Sequence, residues 1–291
     1  LTGAGGTQVD RTGNDRVYIA PAFTYKPDES TTLTVLGSYQ HDSTNGQNFL
    51  PYNGTVRRAA FGGFIPTRQF TLDPSLDRYT RDQAFIGYQF EHKFDDVFTV
   101  RQNLRYAHLE NNFQTVYSYG WANEAAGNLG RLGFLTVPRT NVFNVDNQVE
   151  AKFATGFLSH TVLFGLDYRR YKLDDNQASR FPATDFNVLT GYGAPNVPLT
   201  SASLRYINGT YTQDQLGAYL QDQVRFGRFT LALSGRYDYV GTKTTSLLDP
   251  IANGADASYV KNSEEGRFSG RVGLIYNFDG MMFGDTEDAH T

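Results

Sequence analysis

The chain contains no cysteine, which excludes a disulfide framework and a thiolate metal site. It has no stretch approaching the roughly 18 consecutive apolar residues that a spanning helix needs, and its mean hydropathy is negative. That absence excludes a membrane helix without excluding a membrane, because the strands of a barrel alternate in polarity and leave almost no hydropathy signal. Neither sign of charge dominates: 26 Lys and Arg stand against 30 Asp and Glu, for a net charge of −4. A nucleic-acid backbone is therefore not the partner, since such binding needs a basic surface. The five histidines, His41, His92, His108, His160 and His290, have no spacing that would assemble a metal site. Asp174 with Asp175, and Glu264 with Glu265, read as solvated loop carboxylates, and the glycines of Gly3–Gly6 lack the strand-to-helix context of a phosphate loop. No nucleophile, base and orienting group can be assembled from spacing, so the chain is not expected to be an enzyme and no cofactor is called for.

What is present is aromatic residues and a period of two. Tyr (19) and Phe (22) far outnumber Met (2) and Trp (1), and 29 glycines punctuate the chain. Val17, Ile19, Pro21, Phe23 and Tyr25 fall on one face of a strand, and after the turn residues Pro27 to Ser30 a second run puts Leu33, Val35, Gly37 and Tyr39 on one face. The hairpin recurs as Ala84, Ile86, Tyr88 and Phe90 with Phe98, Val100, Leu104 and Tyr106. It recurs again as Phe143 to Phe153 with Val162 to Tyr168, and as Leu216 to Val224 with Phe229 to Tyr239. A last strand carries Phe268, Val272, Leu274 and Tyr276. About nine strands are predicted in all.

The second face of these strands is wet: Arg101, Arg105, Asp146, Glu150, Lys152, Asp167, Arg169, Gln221, Arg236, Asp238 and Arg271 alternate with the apolar positions. The apolar face carries no Lys or Arg at mid-strand, where each would cost about 2–4 kcal/mol in lipid. Gln102, Asn147 and Asp222 interrupt it, and are read either as near-interface positions or as errors of register. Turns of a few residues alternate with long connections over roughly 42–79, 111–140, 174–210 and 241–264, the asymmetry of outer-membrane barrels with short periplasmic turns and long outer loops. Tyr25, Tyr39, Tyr106, Tyr168 and Tyr239 at strand ends fit interfacial girdles. The fold class is all-β, an antiparallel up-and-down transmembrane barrel segment lying in outer-membrane lipid.

Specific strings resemble the ferrichrome-type TonB-dependent siderophore receptors. "IAPAFTYKPDESTTLTVLGSYQ" (Ile19 to Gln40), "FTVRQNLRYA" (Phe98 to Ala107), "TVYSYG" (Thr115 to Gly120), "AKFATG" (Ala151 to Gly156), "AYLQDQ" (Ala218 to Gln223) and "GRYDY" (Gly235 to Tyr239) are similar to family segments in the same order. The resemblance implies a barrel of about 22 strands with an N-terminal plug inside it, located in the bacterial outer membrane. It implies uptake of a ferric hydroxamate siderophore such as ferrichrome, energised through TonB, with the iron arriving already chelated. No plug and no TonB box are expected within this sequence. Residues 1–279 are expected to form a partial barrel domain and 280–291 an atypical tail, read as a truncation or frameshift.

Carried over from the family, the ring-bearing residues of the chelate pocket are Tyr117 and Tyr119 in "VYSYG" and Phe49 in "GQNFLPYNGT", with Trp121 and Tyr52 nearby. Flat rings suit a hydroxamate chelate because they cover its apolar shell while phenol groups hydrogen-bond its oxygens. Two other functions share parts of the pattern: a passive diffusion channel, which would alternate in the same way, and a soluble β-rich adhesin or binding sheet, in which the same aromatics would pack across strands.

Overall fold

The computed structural model describes residues 2–3, 6–46, 49–191, 204–248 and 257–278; the tail at 280–291 lies outside them. Thirteen strands among the described residues form one antiparallel sheet. They are β1 (Thr2–Gly3), β2 (Asn14–Ile19), β3 (Ala22–Tyr25), β4 (Thr31–Thr44), β5 (Arg78–Lys93), β6 (Phe98–Asn123) and β7 (Asn128–Thr136). After these come β8 (Arg139–Thr155), β9 (Leu158–Arg180), β10 (Phe186–Asn187), β11 (Arg205–Phe226), β12 (Phe229–Leu247) and β13 (Ser258–Tyr276). Among the described residues no helix is long and apolar enough to cross a membrane.

Two prolines, together with the two-residue strands β1 and β10 that lie outside the staves, explain why thirteen strands trace only nine staves. Proline has no N–H to give to a ladder, and the stave formed by β2 and β3 breaks at Ala20 and Pro21, where the Pro21 carbonyl accepts from the Gly37 N–H at 3.0 Å. Likewise β7 and β8 are two parts of one stave interrupted at Val137 and Pro138, both pairing with β6 on one side and β9 on the other. The nine apolar runs of the sequence are these nine staves.

Their length corrects the sequence reading. β6 has 26 residues, β9 has 23 and β11 has 22, whereas a tilted strand crosses a bilayer in about 9–11. Much of what read as long connections is therefore strand that continues past the membrane; the supposed loop 111–140 is a hairpin whose turn is only Glu124 to Gly127. Outside lipid nothing demands an apolar face, so alternation fades while the backbone ladder goes on.

At the other end the turns are short, and each has its own device. Gly156 (φ 64°) and Gly227 (φ 56°) hold the first central position of two-residue turns in the left-handed region that glycine enters freely. The two longer turns are closed by carboxylates: Asp28 accepts from the N–H groups of Ser30 and Thr31 at 2.9 and 2.7 Å, and Asp95 from those of Val97 and Phe98 at 2.9 and 2.6 Å.

The lipid-directed face is apolar and open, with Ile86 61% and Leu220 54% exposed. Four of the five girdle tyrosines lie at its outer edge, and each donates its hydroxyl to a polar residue on the next strand: Tyr39 to Asp82 (2.7 Å), Tyr106 to Asn141 (2.7 Å), Tyr168 to Asp214, and Tyr239 to Glu264 (2.6 Å); Tyr25 lies at the short-turn end instead. The ring stays on the lipid side while the hydroxyl reaches water, as an interfacial tyrosine should.

Gln102 and Asn147 are neither near an interface nor out of register. They sit opposite each other in mid-band and form a relay: Tyr88 donates to Gln102, Gln102 Nε2 donates to Asn147 Oδ1 at 2.5 Å, and Asn147 Nδ2 points to the Leu166 carbonyl at 3.4 Å. Self-satisfaction is what makes these polar groups tolerable in lipid. Asp222, by contrast, lies near the short-turn end of β11, where it accepts from His160 at 2.8 Å.

The inner wall is laced by ion pairs. Arg101 holds Glu91 (2.6 Å) and Glu150 (3.1 Å), Lys152 adds a second contact to Glu150 (3.1 Å), and Arg105 lies 4.1 Å over the Phe85 ring. The buried apolar core is elsewhere, where the outer connections meet the outer strand ends: Ile65 and Val188 cluster with Leu129 on β7 and Phe186 on β10, and Leu50, Phe61 and Trp121 pack against them. Arg131 is wholly enclosed beside this cluster, where it donates to the carbonyls of Thr71 and Leu72 (3.1 Å each) and Thr184 (2.7 Å). The outer segments are thus a packed cap on the strand ends.

Candidate ligand-binding site

Five aromatic residues were singled out by the sequence, and the structure divides them. Phe49, in the connection between β4 and β5, meets Tyr117 on β6 with ring centroids 5.2 Å apart and planes at 56°. Phe134 on β7 extends the group, 6.3 Å from Tyr117. Tyr117 is half-buried and Phe49 is 55% exposed, so the pair offers ring faces to the mouth of the wall.

Trp121 belongs to the packed cap. Its indole N–H donates to the Asn53 carbonyl at 3.0 Å and its ring meets Phe61 edge-on at 5.7 Å. Tyr52 is 65% exposed, and among the described residues no ring packs against it.

Tyr119 is itself the extra residue of a β-bulge. The register between β6 and β7 shifts between Ser118 and Gly120, and one extra residue re-aims every side chain beyond it. Tyr119 accordingly packs on Phe181, 5.2 Å away, and lies flat over Gly130, where a Cβ would come within 2.4 Å of its hydroxyl. Strict alternation would have put Tyr117, Tyr119 and Trp121 on one face.

The Phe49 segment is anchored from below by Asp77. This carboxylate accepts from Thr115 Oγ1 (2.6 Å), Asn45 Nδ2 (2.8 Å) and the Gly46 N–H (3.2 Å). Burial pushes its pKa above the ordinary carboxylate value, against the pull of those three donors. A one-residue spacing from β5, which begins at Arg78, makes Asp77 the hinge between cap and wall.

Sequence reasoning missed a second group on the inner wall at the same end. Tyr206 fills the bulge between Arg205 and Ile207 on β11, and its hydroxyl donates to Gln177 Oε1 at 2.9 Å. Burial first, then the proximity of Tyr117 and Asp175, raises its pKa. Tyr171 and Tyr211 pair at 6.1 Å between β9 and β11. All of these fell in or beside the segment 174–210 that reads as loop, so no face could be assigned to them. Asp174 and Asp175 are likewise not a pair of loop carboxylates: they are neighbours on β9 and point to opposite faces, Asp174 to Lys172 at 3.0 Å and Asp175 toward Gln177. Among the described residues no group of three or more His, Asp or Glu could hold a metal ion.

Comparison with known proteins places this geometry. Residues 22–283 match the family model described as "TonB dependent receptor-like, beta-barrel". The chain is 32% identical over 289 residues to the ferrichrome outer membrane transporter/phage receptor of Escherichia coli K12, covering 91% of this chain and 37% of that protein. It is 31% identical over 279 residues to the ferrioxamine receptor of Yersinia enterocolitica, covering 94% of this chain and 37% of that protein. Among solved structures, the siderophore receptor PiuA of Acinetobacter baumannii superposes with a TM-score of 0.75 at 17% identity, over 93% of this chain and 41% of that one. The chain thus spans little more than a third of the curated relatives it matches, 37% of each. Its staves are those of an outer-membrane β-barrel, and the chain belongs to the TonB-dependent receptor family.

Proposed function

We propose that the whole protein of which this chain is part is a receptor that takes up ferric hydroxamate siderophores across the outer membrane, with energy supplied through TonB. The observation that carries the reading is the Phe49–Tyr117 pair at the mouth of the inner wall, set on a chain whose relatives include ferrichrome and ferrioxamine receptors. Exposed ring faces recognise the apolar shell of a preformed chelate, and neighbouring hydroxyls take its oxygens. On this reading Phe49 and Tyr117 are the first contacts, Tyr119 and Tyr52 act from the rim, and Trp121 supports the cap. The iron is cargo held by its chelator, the protein brings no cofactor of its own, and no reaction is catalysed. Residues 1–279 form the barrel part, with 280–291 a separate tail.

A passive channel would share the alternation of the strands, but the family match over residues 22–283 and the siderophore-receptor relatives support the receptor reading. The test is uptake of radioactive iron as ferrichrome by cells whose only hydroxamate receptor is the full-length protein containing this chain. Uptake that disappears when TonB is deleted, and falls in Phe49→Ala with Tyr117→Ala, supports the reading. Uptake indifferent to TonB would favour the diffusion channel.

A further inference from the structure

The inner wall carries many carboxylates, and most face a cation. Asp42 is held by Arg16 and Arg81, Glu150 by Arg101 and Lys152, and Asp167 and Asp238 by Arg236. Asp146 has two neutral donors, the Tyr219 hydroxyl at 2.9 Å and Gln148 Nε2 at 2.6 Å. Asp175 differs from all of these. Its contact among the described residues is one neutral amide, Gln177 Nε2, at 3.1 and 3.4 Å from its two oxygens.

Asp175 also lines a cavity of about 250 Å³ on the inner face near the outer ends of β9, β11 and β12, together with Tyr206, Tyr211 and Tyr259. Tyr206 and Tyr259 are 43% and 50% exposed, so two of the three rings are open to a visitor. The space is smaller than the several hundred Å³ that enclose a whole drug-sized ligand; it suits one arm of a larger molecule whose body rests elsewhere. Gln177 fixes the geometry, since its amide donates to Asp175 while its carbonyl accepts from Tyr206. A carboxylate without a counter-ion, walled by tyrosine rings, is complementary to an ammonium group: the charge meets Asp175 and the methylene stem and charge lie against ring faces.

We infer that Asp175, with Tyr206, Tyr211 and Tyr259, forms a subsite for the free ammonium arm of a positively charged hydroxamate chelate, so that the receptor prefers cationic over neutral cargo. The inference rests on the receptor reading above and deepens it. Position agrees, because the cavity lies at the outer end of the inner wall, the same end as Phe49 and Tyr117, and Tyr117 is near enough to Tyr206 to contribute to the rise in its pKa.

The experiment is titration calorimetry on the full-length receptor in detergent with ferrioxamine B, which carries one free ammonium, and with its N-acetylated form, which keeps the same iron chelate and loses the charge. Wild-type receptor is expected to bind the charged form about tenfold more tightly. Asp175→Asn, which keeps the size of the side chain, abolishes that difference while affinity for the acetylated form stays unchanged. Equal affinities in wild type, or a preference that survives Asp175→Asn, overturn the subsite and leave the receptor reading standing. Failure to bind either form, with ferrichrome also rejected, overturns both.

Discussion

Arg236 on β12 reaches across β11 to grip Asp167 on β9, with contacts of 2.6 and 3.1 Å from its two terminal nitrogens. The crossing is possible because Gly217 lies beneath it on β11: a Cβ there would come within 2.1 Å of Nη2. Three strands are thereby clamped by one side chain, and Asp238 completes the clamp at 2.5 Å.

Gly217→Ala is expected to push the guanidinium off Asp167 and to destabilise the barrel by about 1–2 kcal/mol, the cost of a partly buried charge left without its partner. Gly87→Ala is expected to cost more. Its added Cβ would sit 2.3 Å from the Leu104 carbonyl oxygen, and backbone cannot swing aside as an arginine can. The temperature at which each full-length variant loses its compact gel mobility gives the order; no loss in Gly217→Ala would show that the clamp carries no stability.

The mid-band relay predicts an asymmetry. Gln102→Leu or Asn147→Leu alone leaves a polar partner facing lipid and is expected to destabilise by about 1–3 kcal/mol, whereas the double replacement, which strands only the Tyr88 hydroxyl, costs less than the sum of the two. A double-mutant cycle on detergent-solubilised receptor measures this, and additive losses would mean the two amides act independently.

Phe49 and Tyr117 are expected to be coupled in ligand binding. Each alanine replacement weakens ferrichrome binding, and the double variant falls short of their sum by about 0.5–1.5 kcal/mol, the worth of an aromatic pair. Tyr119, the bulged residue that packs on Phe181, is expected to add independently to either one. Coupling of Tyr119 to Tyr117 as strong as that of Phe49 would contradict the placement.

Acid should act at Asp42, beyond the girdle on β4. Burial pushes its pKa up, but hydrogen bonds from Gln40, Arg16 and Arg81 outweigh this and hold it at about 2, against 3.8 for a free aspartate. A carboxylate depressed in the folded state stabilises the fold above its unfolded pKa, and that contribution fades as pH falls through the folded one. The loss therefore runs between about pH 4 and pH 2 and amounts to roughly 2 kcal/mol. Asp42→Asn should flatten this part of the stability profile, as followed by thermal unfolding at successive pH values.

The alternation of residues such as Leu33, Val35 and Tyr39, or Phe98, Val100 and Leu104, was enough by itself to establish the nine staves, their membrane face and the short turns. Lipid enforces it: every second side chain of a crossing strand must be apolar, and that rule is local. It also separated Arg101, Glu150 and Arg236 onto the wet wall without any knowledge of their partners. Only the tertiary structure decided how far the strands run past the bilayer, because there both faces are polar and only the ladder of backbone hydrogen bonds marks a strand. The same holds for the site. A single inserted residue at Tyr119 or Tyr206 reverses which side chains face the mouth, and such a bulge is set by pairing with β7 or β9. Phe49 meets Tyr117 across 67 intervening residues through a packed cap around Ile65 and Leu129. Contacts of that kind come from three-dimensional packing, which no local period records.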